Sequence, residues 1–122
     1  MRKILVILAL VLVPVTALHA MTVSTFLQKA DALEKRGVTA LFSSDLRLLK
    51  REIRSAGESL RAERLAAQRA GRPAAYCPPE RQSLNSDELL AHFRAIPDAQ
   101  RGRMEVRDAL RSLMVRKYPC PA

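Results

Sequence analysis

YCPPERQSLNSDELLAHFRAIPDAQRGRMEVRDALRSLMVRKYPCP, residues 76–121, decides how the rest of this chain must fold. The stretch opens on Tyr76-Cys77-Pro78-Pro79, closes on Tyr118-Pro119-Cys120-Pro121, and holds both cysteines of the sequence. Joined, Cys77 and Cys120 make it a closed loop. Inside the loop two helices are legible. For the first, Asn85 stands as N-cap with Glu88 at the N3 position, a capping-box arrangement, and Leu84 faces Leu89 as a hydrophobic staple. Leu89, Leu90 and Phe93 form its apolar side and Pro97 stops it. A turn from Pro97 to Gly102 leads to the second, whose apolar face is Met104, Val106, Ala109, Leu110, Leu113 and Met114, and Tyr118-Pro119 ends it.

Outward toward the N-terminus lie two longer helices. Over 22–36, Val23, Phe26, Leu27, Ala30 and Leu33 recur at three- and four-residue intervals; Thr22 or Ser24 caps the start, and Gly37 is free to end the helix with a positive φ. Val38 to Phe42 reads either as loop or as the opening of the next helix. Ser43 and Ser44 ahead of Asp45 give a clearer start. From Asp45 to Arg69 there is no proline, and Leu46, Leu49, Ile53, Ala56, Leu60 and Ala67 make an apolar stripe. Arg47, Lys50, Arg51, Arg54, Arg61 and Arg69 share about a third of the helix circumference at roughly 100° per residue. Within this ridge Arg47 with Arg51 and Lys50 with Arg54 are like-charge pairs at i,i+4, each mildly destabilising, and only Glu58, four after Arg54, relieves it. A ridge that weakens its own helix suggests a grip on something anionic; the plainer reading is a solvated face. Gly71, Arg72 and Pro73 end the helix, and the run to Gln82 reads as an ordered loop.

Ahead of these helices, Met1-Arg2-Lys3, the apolar run Ile4–Val13 and small residues up to Ala20 have the three parts of a secretory signal peptide. The run is too short for a membrane span, which needs roughly 20 residues. Cleavage after Ala17 or Ala20 fits, Ala20 better because it places the helix signals at the new N-terminus. The expectation is a signal peptide over 1–20 and a single helical domain over 21–122, exported to the periplasm or secreted. An oxidising compartment pairs Cys77 with Cys120. The formal net charge of +9, of which Arg2 and Lys3 leave with the leader, favours an acidic partner. For an exported protein that means an anionic envelope polymer, a membrane surface or an acidic protein, and not nucleic acid.

No catalytic constellation stands out. His92, the sole histidine after residue 20, has only Glu88 at i−4 as a nearby carboxylate. Disulfide-bonded cysteines are no nucleophiles. The four glycines, Gly37, Gly57, Gly71 and Gly102, are dispersed and form no phosphate loop. One histidine and two distant thiols supply no metal set, so neither metal nor cofactor is expected.

Cys77-Pro78-Pro79, then Ser83-Leu84-Asn85-Ser86-Asp87-Glu88-Leu89-Leu90, the helix closing at Ile96-Pro97, and Val106, Ala109-Leu110, Leu113 and Tyr118-Pro119-Cys120 together resemble the C-terminal part of the Rap/Tai family. These are small periplasmic immunity proteins that protect a bacterium from cell-wall amidase toxins delivered by type VI secretion. The resemblance covers the C-terminal half only; many members carry a second cysteine pair nearer the N-terminus, and this chain has none before Cys77. It implies a non-enzymatic binding protein that occupies a toxin's active-site cleft, and a homodimer as its form. The alternative is an envelope-associated module that contacts anionic cell-wall or lipid groups through the basic face of the second helix. In either case the expected fold is all-α, four helices with one long helix and a disulfide-closed C-terminal hairpin. The expected contact residues are Arg47, Lys50, Arg51, Arg54 and Arg61.

Overall fold

Five α-helices and one 3-10 helix make up the fold, as seen in a computed structural model that describes residues 20–122. The signal-peptide reading of residues 1–20 falls, but for Ala20, outside the described residues. Helix α1 spans Val23–Arg36, the 3-10 helix Gly37–Phe42, α2 Ser44–Arg69, α3 Ser86–Ala95, α4 Asp98–Arg101 and α5 Val106–Lys117. No helix among the described residues is long and apolar enough to cross a membrane.

Helix α1 starts where Thr22 Oγ1 accepts from the Thr25 amide at 3.2 Å, and all five residues of its apolar stripe are buried. Gly37 ends it at φ 60° and ψ −135°, a backbone region open in practice only to glycine. Ser43 caps α2, accepting from the Asp45 amide, so the helix begins at Ser44. At its far end Arg72 N donates to Ala67 O and Gly71 N to Gln68 O, a Schellman motif that uses the positive φ of Gly71.

Two sequence expectations need correction. The turn from Pro97 to Gly102 contains a fifth helix, the single turn Asp98–Arg101, for which Pro97 supplies the N-cap carbonyl. At α3, Asn85 Oδ1 does accept from the Glu88 amide at 2.8 Å, but the Glu88 carboxylate turns away from Asn85 to bind Lys117 Nζ at 2.7 Å. The capping box is therefore half formed: an ion pair to α5 outcompetes the second capping bond.

The core is one cluster drawn from α1, α2, α3 and α5, with Tyr76 and Ile96. Helix α2 packs mainly on α5 and α1, and α1 also on α3. At the centre Phe93 and Phe26 meet edge to face, ring centroids 5.3 Å apart and planes at 72°. Only Leu49, Ala56 and Leu60 of α2 are buried, so its last two turns leave the core. They are held by Glu63, both of whose carboxylate oxygens accept from Arg111 of α5, and by Arg64, whose guanidinium lies 5.2 Å over the buried Tyr76 ring.

Two clasps bind the C-terminal helix. At its start, Val106 N donates to Met21 O and Val23 N to Met104 O, both 2.9 Å, an isolated antiparallel bridge that sets the beginnings of α1 and α5 side by side. At its end, Cys77 and Cys120 are disulfide-bonded with Cα atoms 4.8 Å apart. Cys77 N also donates to Tyr118 O, and Lys117 Nζ reaches the Ser83 carbonyl. The hairpin read from residues 76–121 is thus closed by the disulfide and by hydrogen bonds around it.

Candidate functional site

Helix α2 carries seven basic side chains, and five of them, Arg47, Lys50, Arg51, Arg54 and Arg61, are the exposed residues expected to meet a partner. Among the described residues none of the five makes an ion pair. Of the three acidic residues on the other flank of α2, Asp45 binds Lys29 at 3.2 Å and Glu63 binds Arg111 at 2.6 Å, while Glu52 makes no ion pair among the described residues. Glu58 makes no ion pair with Arg54 among the described residues. The fold thus pairs two of the three carboxylates on that flank and leaves the five cations without an ion pair among the described residues.

The structure divides the ridge. Lys50 and Arg54, with Glu34 bound by Arg94 on the α1 side, rim a cavity of about 540 Å³ between α1, α2 and α3, whose apolar lining includes Phe26, Leu33, Leu46, Leu49, Ile53 and Leu90. Arg54 and Arg61, with Arg64 and Glu58, rim a second of about 330 Å³ beside Tyr76, Met114 and Tyr118. Ile53, Arg54 and Leu84 belong to both, so the two form one groove along α2 with an apolar floor and a cationic edge. Arg47 and Arg51 line neither. Helical geometry explains the division. At roughly 100° per residue Lys50, Arg61 and Arg54 lie next to the apolar stripe, whereas Arg47 and Arg51 have rotated away from it.

Arg64 is the residue the sequence reading missed. It sits at the angular position of Leu46, on the edge of the apolar stripe, which a helical wheel reveals. Its stacking on Tyr76 depends on where the loop after α2 returns, which periodicity does not report.

His92 is placed against α5, with Nε2 2.7 Å from Ser112 Oγ. The pair has the composition of a nucleophile and a base but the wrong polarity. Ser112 Oγ donates its proton to the Ala109 carbonyl at 2.7 Å, so the imidazole is the donor toward the hydroxyl. No carboxylate orients the ring: Nδ1 is buried without a partner, and Glu88 is engaged by Lys117. Burial and then the nearby Arg116 charge lower the His92 pKa from its ordinary value of 6.5, so folding favours the neutral imidazole. The unfolded chain binds that proton more readily, and stability is accordingly lost as pH falls through and below about 6.5. Melting temperatures between pH 8 and pH 5 are expected to decline less in His92→Asn than in the parent. Equal slopes would show that His92 contributes nothing to the acid sensitivity.

Among the described residues no group of three or more His, Cys, Asp or Glu side chains is placed to hold a metal ion. No protein-family model, curated protein or solved structure matches the chain.

Proposed function

We propose that the protein is a non-catalytic periplasmic binding protein of the immunity type, which neutralises a secreted cell-wall amidase toxin by covering it. The observation that carries the reading is the groove along α2, where the unpaired cations Lys50 and Arg54 stand beside an apolar floor. Such a surface fits a protein partner that offers acidic and apolar side chains together. The disulfide suits an oxidising compartment. The resemblance of residues 77–120 to the Rap/Tai pattern supplies the class of partner.

The test is genetic and then biochemical. A toxin gene is expected beside this one, and deleting the protein should sensitise the cell to that toxin. Lys50→Glu with Arg54→Glu should weaken toxin binding by about tenfold or more, since reversed charges would face an acidic partner. Arg51→Glu, outside the groove, should change it little. A deletion strain no more sensitive than its parent to any neighbouring toxin would end the proposal.

A further inference from the structure

The 3-10 helix Gly37–Phe42 joins α1 to α2 and forms the tip of their hairpin. Three of its side chains, Val38, Leu41 and Phe42, are 79%, 69% and 86% exposed. Single exposed apolar residues are ordinary, but three bulky ones on one short turn are not. The turn is built to present them. Ala40 packs inward against the core, Thr39 Oγ1 donates to Arg36 O at 2.8 Å, and Ser43 N donates to Ala40 O at 3.0 Å. Arg36 Nη1 donates to the buried Ser43 hydroxyl and braces the turn from the α1 side.

The charges around the tip are one-sided. Lys35 and Arg36 end α1, Arg47 lies in the opening turns of α2, and all three are exposed with no ion pair among the described residues. The carboxylates nearest in sequence are occupied, Asp45 by Lys29 and Glu34 by Arg94 at 2.9 Å. The tip therefore offers an outward apolar point surrounded by cations that lack counter-charge. A second copy of the chain is a poor occupant. Its own apolar groove is edged by four cations, Lys50, Arg54, Arg61 and Arg64, against two carboxylates, Glu58 and the Arg94-bound Glu34, so its net positive edge would face the cations of the tip.

We propose that this tip docks the protein on an anionic lipid bilayer. Val38, Leu41 and Phe42 enter the interface below the headgroups, while Lys35, Arg36 and Arg47 meet the lipid phosphates. The inference uses residues outside the α2 groove and holds whether or not a toxin partner exists.

The chain has no tryptophan, so Phe42→Trp places a single fluorophore at the tip. The full chain carrying this change is mixed with vesicles of equal phosphatidylglycerol and phosphatidylcholine, and with vesicles of phosphatidylcholine alone. Emission is expected to shift to the blue on the anionic vesicles and to be quenched when their acyl chains are brominated. Because the signal arises at residue 42, attachment through the apolar run 4–13 does not imitate it. Adding Leu41→Ser should weaken the partition read from this fluorophore about tenfold, the effect of losing one large buried apolar side chain. Lys35→Glu or Arg47→Glu, neither of which touches the Arg36 brace on Ser43, should weaken it at least about fivefold. Unchanged emission in protein that sediments with the vesicles would overturn the proposal, as would an equal shift on neutral vesicles. A blue shift without vesicles that fades on dilution would also overturn it, by showing that a second copy covers the tip.

Discussion

Replacing Phe93 by alanine is expected to destabilise the fold by about 3–5 kcal/mol, a large part of the roughly 5–15 kcal/mol that holds a domain of this size together. Phe93 is fully buried, and with Leu89 it carries α3 into the core, where it meets Phe26 of α1. Three losses coincide in the alanine variant: the apolar area of a benzyl group, the edge-to-face contact with Phe26, and the packing of everything that lined the space. The site has little room to collapse, because Val23, Val106 and Leu113 of the same core are themselves fully buried on other helices. For about 100 residues the melting midpoint should fall on the order of 20 °C, followed by far-ultraviolet circular dichroism. Phe93→Leu should recover a substantial part of that drop. A shift of under about 5 °C in the alanine variant would contradict the placement of Phe93 at the centre of the core.

Cys120→Ser is expected to have a comparable effect through the unfolded state. The disulfide joins residues separated by 43 positions, and in the loop-closure model its removal frees about 4 kcal/mol of chain entropy on unfolding. The helices themselves should persist, because the hairpin keeps the bonds from Cys77 N to Tyr118 O and from Lys117 to Glu88. Calorimetry should show Cys120→Ser and the parent with reductant melting at similar temperatures, with reductant having no further effect on the variant. A parent whose melting ignores reductant, or whose thiols titrate in the native state, would remove the disulfide from the stability of this protein.

Much of this architecture is written in apolar spacing. The stripe Val23, Phe26, Leu27, Ala30, Leu33 needs only the helical repeat to be read, and every member is buried. Caps are nearly as legible where the partner is local: Thr22, Ser43 and Asn85 each accept from an amide two or three residues on. What depends on distant residues is hidden. Glu88 is diverted by a lysine 29 positions away, and the bridge between Met21 and Val106 joins opposite ends of the domain. Helix α4, four residues long, is too brief to show a period. Val38 to Phe42 is ambiguous for a different reason: an apolar run suggests burial, and here only Ala40 turns inward.

The candidate contact surface is legible as charge and illegible as shape. All five basic residues named from the sequence are exposed, yet Lys50, Arg54 and Arg61 line the groove while Arg47 and Arg51 do not. The sequence locates cations on a helix, whereas the groove exists only once α1, α3 and the loop before Asn85 have been laid against that helix.

The bridge between the residues preceding α1 and those preceding α5 bears on how the chain must mature. A polypeptide emerging N-terminus first presents α1 and α2 well before their partners. Phe93, Val106, Leu110 and Leu113, which fill the centre, arrive only after α2 is complete, and Cys120 follows them. The α1–α2 hairpin is thus held back from completion, its apolar stripes uncovered, until α3 and α5 have been synthesised. The domain is completed by α5, the last of its helices in chain order, through its bridge to the start of α1.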